Sequence, residues 1–178
     1  MRNYSLSLIL FSLSVSAFAG IEKFSLGPVV TNFGENAVVE GGLDNPSEQK
    51  FSVAFDIAKG AENNDANRGI ASVARFINMH ARAGVPVENI KTVLIVHGPA
   101  ATEMLSAEAY KKRFNKANPS LALLETLIDH GAQVILCGQS AAFSDIAAQD
   151  LIPGVQMSLS AMTAHALYQQ RGYTLNPF

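Results

Sequence analysis

The only cysteine of the chain, Cys137, ends a short apolar run, residues 134–137, and stands directly before Gly138. A run of this kind is typical of a buried parallel strand, because helices cover both of its faces. Gly138 ends the predicted strand, and Ser140 can cap a helix that begins at Ala141. Backbone N–H groups and the dipole at a helix start favour a thiolate over a thiol. The sequence therefore predicts a reactive cysteine at a strand-to-helix junction, with burial as a small hydrophobe as the alternative.

His97 is the second residue that could take part in chemistry. It follows another apolar run, residues 90–96, and precedes Gly98-Pro99. Because the carboxyl ends of parallel strands meet at one sheet edge, we expect His97 on the same edge as Cys137. There the imidazole could act as a base, a hydrogen-bond donor or a metal ligand. The alternative is that its ring only caps a carbonyl of the adjacent loop.

The residues beside Cys137 and His97 are the expected ligand contacts at this edge: Gly98, Gly138, Gln139 and Ser140. Two carboxylates, Asp56 and Asp145, are candidates for acid–base work by location alone. Asp145 is better explained as a residue that stabilises the first turn of its helix.

Several other kinds of chemistry find no support in the sequence. The four histidines, His80, His97, His130 and His165, fall on separate predicted elements without short ligand spacing, so no metal site is expected. His80 and His130 each fall in the last turn of a helix, where they favour the dipole, and no role follows for His165. Neither phosphate-binding glycine motif occurs, so no nucleotide cofactor is expected, and no GxSxG motif supports a serine hydrolase. The net charge of −2 without a basic cluster disfavours nucleic acid.

The composition predicts one globular domain behind an export signal. The chain has 178 residues, 48% of them apolar and 16% charged. Arg2, the apolar residues 6–18 and Ala17-Phe18-Ala19 are typical of a signal peptide, residues 1–19, that is cleaved on export to the periplasm. A retained membrane anchor is the alternative. A lone cysteine in an exported protein forms no internal disulfide, so it must be buried, protected or used.

The elements that would position Cys137 and His97 alternate along the rest of the chain. Residues 20–49 read as an irregular N-terminal arm that packs on the domain or on a neighbouring subunit. Strands are expected at 50–57, 90–96, 134–137 and 155–159. Helices are expected from an Asn63-Asn64-Asp65 cap to about 83, at 106–114, from Asn118-Pro119 to Gly131, at 141–149 with Phe143 buried, and from Ser160 to about 172. This order predicts, for residues 50–178, a three-layer α/β sandwich around a mostly parallel sheet of four to five strands.

Eight segments carry a resemblance to known proteins, and they occur in one order: Val53-Ala54-Phe55-Asp56, Val73-Ala74-Arg75, Ala83-Gly84-Val85-Pro86-Val87-Glu88-Asn89, Val96-His97-Gly98-Pro99-Ala100, Asn118-Pro119, Leu136-Cys137-Gly138-Gln139, Leu151-Ile152-Pro153-Gly154-Val155 and Gln169-Gln170-Arg171-Gly172-Tyr173. With them, residues 51–178 resemble the DsrE/DsrF-like (YchN-like) family, in particular its exported single-domain branch. The resemblance implies an α/β fold and homo-oligomers, often trimers or hexamers. It also implies a role for Cys137, since cytoplasmic relatives pass sulfur as a persulfide on a cysteine at this position.

The leading hypothesis is therefore a periplasmic sulfur-handling protein in which Cys137 carries a persulfide or transfers sulfur, with His97 as an orienting or deprotonating group. Its partners would be a protein or small molecule that donates or accepts sulfur, and any turnover would be sulfurtransferase-like. No membrane contact is expected after signal cleavage. The alternatives are a non-enzymatic oligomeric protein that binds a small ligand and has a structural cysteine, and a thiol redox sensor.

Overall fold

The computed structural model describes residues 20–177 of the chain. The predicted signal peptide, residues 1–19, lies outside the described residues. Within residues 20–177, no helix combines the length and the apolar character that crossing a membrane requires.

A five-stranded parallel sheet forms the centre of the molecule. The strands of the described residues are β1 (Phe24–Ser25), β2 (Asn36–Ala37), β3 (Phe51–Ile57), β4 (Ile90–Val96), β5 (Gln133–Cys137), β6 (Val155–Ser158) and β7 (Thr174–Asn176). The central sheet has the order β6-β5-β4-β3-β7, and a separate two-stranded antiparallel sheet joins β1 to β2.

Helices cover both faces of the sheet. They are α1 (Arg68–Arg82), α2 (Ala107–Phe114), α3 (Leu121–Asp129), α4 (Gly138–Phe143) and α5 (Ala161–Gln170), and a 3-10 segment, Gly98–Met104, follows β4. One face carries the larger core, in which Phe55, Leu94 and Leu136 pack with residues of α1 and α3. The opposite face packs Ile95 and Ile135 against α5. The predicted three-layer α/β fold is confirmed, with a fully parallel central sheet.

The helix that follows Cys137 differs from the prediction in both of its bounds. It begins at Gly138, not Ala141, and it ends at Phe143, where the predicted span continued to residue 149. Asp145 has a left-handed backbone (φ 49°), which turns the chain away from the helix axis. As a result Phe143, expected in the core, is 94% exposed, while Ile146 is buried.

The structure differs from the predicted elements at two further places, the start of α1 and the strand β7. Helix α1 is capped by Asn67, whose side chain accepts N–H groups of the first turn, because Asn63 and Asn64 adopt left-handed backbone conformations that cannot start a helix. Strand β7 was not predicted at all. It has three residues and no alternating apolar pattern, and it forms because Val53 to Phe55 offers a free parallel edge.

The N-terminal arm is fastened to α1 by one buried side chain. Asn78 is fully buried, and its Oδ1 accepts the N–H groups of Val29 and Val30 at 3.0 and 2.8 Å. Its Nδ2 donates to the carbonyls of Val30, Phe33 and Gly34 at 2.9, 2.9 and 3.3 Å. The arm therefore packs on its own domain, through these backbone atoms and through the buried side chain of Val30.

Replacing Asn78 with Ala should loosen this arm. The change leaves buried backbone groups of residues 29–34 without partners, so we expect the free energy of unfolding to fall by about 2–4 kcal/mol. Urea denaturation measures the loss, and limited proteolysis should show faster cleavage within residues 20–49. Met79→Ala, on the exposed face of the same helix, is the control and should change little. Equal effects of the two substitutions would contradict the assigned role of Asn78.

Candidate functional site

The candidate site forms where the carboxyl ends of β3, β4 and β5 meet α5. Alternate residues of a strand point to opposite faces of the sheet. Asp56 pairs with Ile95, and Cys137 lies two residues after Ile135, so both lie on the face that Ile95 and Ile135 present to α5. Val96 of β4 pairs with Leu136 of β5, so the next residues along, His97 and Cys137, lie side by side on neighbouring strands. Strand spacing places their backbones about 5 Å apart.

Cys137 lies at the junction of β5 and α4 and is the N-cap residue of that helix. It is buried, with 5% of its surface exposed. Burial raises the pKa of its thiol. Hydrogen bonds from the Ser140 hydroxyl and from the N–H groups of Ser140, Ala161 and Gln139 lower it, and together they outweigh burial, so the pKa lies below the usual value. Donors at the starts of both α4 and α5 therefore stabilise the thiolate at this sulfur.

Ser140 was expected to cap the helix after Cys137, and that prediction is wrong. It lies inside α4, and its Oγ accepts the N–H of Gly98 at 2.9 Å. Because this contact uses an oxygen lone pair, the hydroxyl hydrogen remains available for the sulfur of Cys137. Ser140 thus joins the loop after β4 to the cysteine.

Gly138 is required by a close approach of two backbones. A Cβ at this position would lie 2.6 Å from the carbonyl oxygen of Ser158 at the end of β6. The neighbouring Gln139 donates from Nε2 to the carbonyl of Leu159 at 3.3 Å. These contacts fix the start of α4 against the segment that leads into α5, and so bring the Ala161 N–H to Cys137.

Asp56 connects two imidazoles beside the cysteine. Its Oδ1 lies 3.0 Å from Nε2 of His97 and 2.7 Å from Nε2 of His165. A carboxylate oxygen accepts, so each ring carries a hydrogen on Nε2. The Nδ1 of His165 is buried and has no hydrogen-bond partner. The arrangement links β3, the end of β4 and α5 through side chains.

The predicted residues Cys137, His97, Gly98, Gly138, Gln139 and Ser140 thus lie together on one sheet edge; their roles in catalysis or ligand binding stay predictions. The sequence reasoning missed His165, which lies one turn along α5 from Ala161. A signal was present, because Asp56 is a carboxylate on the face of β3 that packs on a helix, where a partly buried carboxylate favours a hydrogen-bond partner. The contact between Asp56 and α5 joins residues 109 positions apart, which no local pattern predicts.

The other two histidines have structural contacts. Nδ1 of His80 lies 2.8 Å from the carbonyl of Phe76, and Nδ1 of His130 lies 2.8 Å from that of Thr126, each one turn earlier in its helix. Across residues 20–177, no three His, Cys, Asp or Glu side chains are grouped as a metal site.

The architecture defines the class of protein: a parallel α/β domain with its cysteine at the carboxyl edge of the sheet. The DsrE/DsrF-like family model matches residues 50–177, and the chain belongs to that family. The match leaves out the N-terminal arm. None of the curated proteins compared with the chain matches it.

Two solved structures share the fold. One is a protein of unknown function, MTH1491 from Methanobacterium thermoautotrophicum, with a TM-score of 0.54 and 16% identity over 72% of this chain and 100% of that one. The other is the ychN protein from E. coli, with a TM-score of 0.51 and 18% identity over 73% of this chain and 99% of that one. At these identities the likeness concerns the fold alone, and it agrees with the sheet described above.

Removing the Ser140 hydroxyl should raise the pKa of Cys137. Ser140→Ala deletes the largest of the hydrogen bonds that lower this pKa, so the thiolate loses stabilisation. The measurement is the rate of alkylation as a function of pH. The midpoint of that curve reports the pKa of the thiol, whereas the absolute rate also depends on access to the sulfur, which the substitution alters. Ser144→Ala, just beyond α4, is the matched control and should leave the midpoint unchanged. An unchanged midpoint in Ser140→Ala would refute the assigned contact.

The lowered pKa also makes stability depend on pH. A thiol with a lower pKa in the folded state than in the unfolded state stabilises the fold above the unfolded pKa, about 8.5. That contribution is lost as pH falls through the folded pKa. We therefore expect the difference in unfolding free energy between the wild type and Cys137→Ala to shift in favour of the wild type as pH rises from about 6 to about 9. Urea denaturation at several pH values measures it, and a constant difference would contradict the linkage.

Proposed function

We propose that this protein handles sulfur in the periplasm by carrying it as a persulfide on Cys137. Membership of the DsrE/DsrF-like family suggests a sulfur-related role. The single observation that carries the finer proposal is the position of the only cysteine at the start of α4, where donors from Ser140, Ala161 and Gln139 lower its pKa. A thiolate is the form of cysteine that attacks sulfur, so a lowered pKa favours this chemistry at neutral pH.

The proposed step is a two-electron displacement. The Cys137 thiolate attacks the outer sulfur of a small persulfide or polysulfide, forming a new S–S bond. The S–S bond of the donor breaks, and the donor leaves as a thiolate with the bonding electron pair. For a protonated persulfide donor, the outer sulfur keeps its hydrogen, so Cys137 now carries –S–SH. A thiolate acceptor then attacks that outer sulfur and releases the Cys137 thiolate.

His97 supports this step in the proposal through position. It is expected beside Cys137, and its bond to Asp56 fixes the orientation and tautomer of the ring. With Nε2 engaged by Asp56, Nδ1 is the ring atom left to exchange a proton with the arriving or departing thiol. The side chain of His97 is 30% exposed, so water or substrate reaches it.

The surroundings of Cys137 favour a partner that docks on this part of the molecule. Three large apolar side chains stand exposed on α4, at the end of β6 and on α5: Phe143 at 94%, Leu159 at 73% and Met162 at 80%. Exposed apolar side chains near a buried thiol suit either a second copy of the chain or a protein that exchanges sulfur. We therefore include homo-oligomers and such a partner protein in the proposal; trimers or hexamers are the sizes that the family resemblance implies.

A second candidate is favoured by the burial of the sulfur. With only 5% of Cys137 exposed, the residue also fits a structural role in a non-enzymatic, oligomeric protein that binds a small ligand. The two candidates differ in one observable. A carrier accepts sulfane sulfur on Cys137 in the folded state, and a structural cysteine reacts only after unfolding.

Incubating the folded protein with inorganic polysulfide tests the proposal. We expect the intact mass to rise by one sulfur atom, with the modification mapped to Cys137, and we expect a small thiol to remove it. Cys137→Ser is the matched control because it keeps the size of the side chain and removes the only thiol.

The outcomes separate the candidates. Carriage is supported if sulfur adds to the wild type but not to Cys137→Ser, and if an added thiol then removes it. No adduct on the folded wild type, together with loading after denaturation, would favour the structural cysteine. An equal mass gain on Cys137→Ser would defeat carriage outright.

A further inference from the structure

The sheet has a topological switch point on its β3 side. Chain connections run from β3 through β4 and β5 to β6 in one direction, and the last connection, through α5, returns to place β7 on the other side of β3. Helices α1 and α5 consequently leave to opposite faces of the sheet. In open parallel sheets, the crevice outside the carboxyl ends of the strands at such a point is where small ligands bind.

A cleft of about 600 Å³ lies at this point. Its wall includes Asp56 and Ile57 from the end of β3, Pro177 directly after β7, and the loop between β3 and α1. The volume falls within the range of small-molecule sites in proteins. Asp56 belongs both to this cleft and to the pair of contacts with His97 and His165, so the cleft adjoins the cysteine site.

The loop that walls the cleft is held in place by a buried carboxylate. Glu103 is 2% exposed, and its Oε1 accepts the N–H of Ala61 at 2.7 Å and the side-chain amide of Asn67 at 2.9 Å. Its Oε2 accepts the hydroxyl of Ser120, whose oxygen in turn accepts the Asn67 N–H. Asn67 also donates to the carbonyl of Lys59 at 2.7 Å. These bonds anchor both ends of the loop, so the wall of the cleft is held by contacts within the protein.

The rim of the cleft carries charges of both signs. Lys59 and Arg68 are cationic, and Glu62 and Asp65 are anionic. All four are exposed, and within residues 20–177 none of them makes a salt bridge with another side chain. Unpaired charges of both signs around one cleft suit a zwitterion, with its carboxylate on the cations and its ammonium on the anions.

The distance to Cys137 from Asp56, the cleft residue that also contacts His97, sets the smallest length of that zwitterion. Asp56 pairs with Ile95, which pairs with Ile135, and Cys137 lies two residues further along β5. Two strand spacings across and two residues along amount to about 12 Å. A single amino acid is too short for this span, whereas an extended tripeptide covers about 10 Å and its side chains add to that reach.

We propose that the cleft between β3 and β7 binds a short peptide thiol, of tripeptide size and zwitterionic, as the small-molecule donor or acceptor of sulfur. The proposal rests on the function proposed above only for the sulfur chemistry. The binding itself depends on the cleft and its charges. Charged groups bind at the rim, and the thiol reaches past His97 toward Cys137.

S-methylglutathione is the probe, because it has the size and charges of such a peptide and cannot take part in thiol exchange. Isothermal titration should show binding to the wild type and equally to Cys137→Ser. The double variant Lys59→Glu/Arg68→Glu should bind about tenfold more weakly or worse, through loss of two charge-assisted contacts. Lys111→Glu/Lys112→Glu is the matched control, with the same charge change at exposed positions of α2, and should bind like the wild type.

The same variants keep this inference separate from sulfur carriage. If S-methylglutathione binds Cys137→Ser but polysulfide does not add sulfur to Cys137 of the wild type, the result supports the binding cleft and contradicts sulfur carriage. No binding to the wild type at millimolar probe would overturn the cleft, even if Cys137 loads with sulfur. Equal weakening in both double variants would also overturn it, since the effect would then be one of net charge. Amide shifts of the labelled wild type should centre on residues 57–69, and shifts elsewhere alone would count against the site.

Discussion

The convergence of amide hydrogens on one sulfur atom is the interaction on which the rest of the site depends. The first turn of α4 and the start of α5 both direct N–H groups at Cys137, and the Ser140 hydroxyl donates a further hydrogen bond to it. Burial alone would make the thiolate unfavourable, because a buried charge loses its hydration. The hydrogen bonds replace that hydration. This balance is what allows the cysteine to be buried and ionisable at the same time.

Much of the surrounding structure can be understood as holding these donors in position. Helix α5 reaches the sulfur only because it lies against the sheet, and the contact of His165 with Asp56 fixes it there one turn beyond Ala161. Helix α4 begins where it does because Gly138 lets its backbone approach that of Ser158. The Oγ of Ser140 receives the Gly98 N–H, so the loop after β4 is part of the same assembly.

The sequence predicts the central strands well because β4 and β5 contain apolar runs between helix signals, and β3 alternates in the manner of a strand. It places Cys137 and His97 at the correct edge for the same reason. It fails where long-range contacts override local patterns. Strand β7 has no apolar signature and depends on pairing with β3. Helix α4 starts at Gly138, a residue that reads locally as a break, since a tertiary contact demands the absence of a side chain there. The contact between Asp56 and His165 likewise cannot be predicted from the periodicity of the sequence.

The docking of the N-terminal arm has a consequence for how this chain tolerates change. Asn78 recognises the arm by its main-chain amides and carbonyls, so these hydrogen bonds do not depend on which side chains the arm carries. The arm has two constrained positions of its own: Val30 is fully buried in the main core, and a Cβ at Gly34 would meet the backbone nitrogen of Arg75 at 2.4 Å. Sequence drift should therefore be wide at the exposed positions of the arm, and constraint should concentrate on Val30 and Gly34 within it and on Asn78, far along the chain.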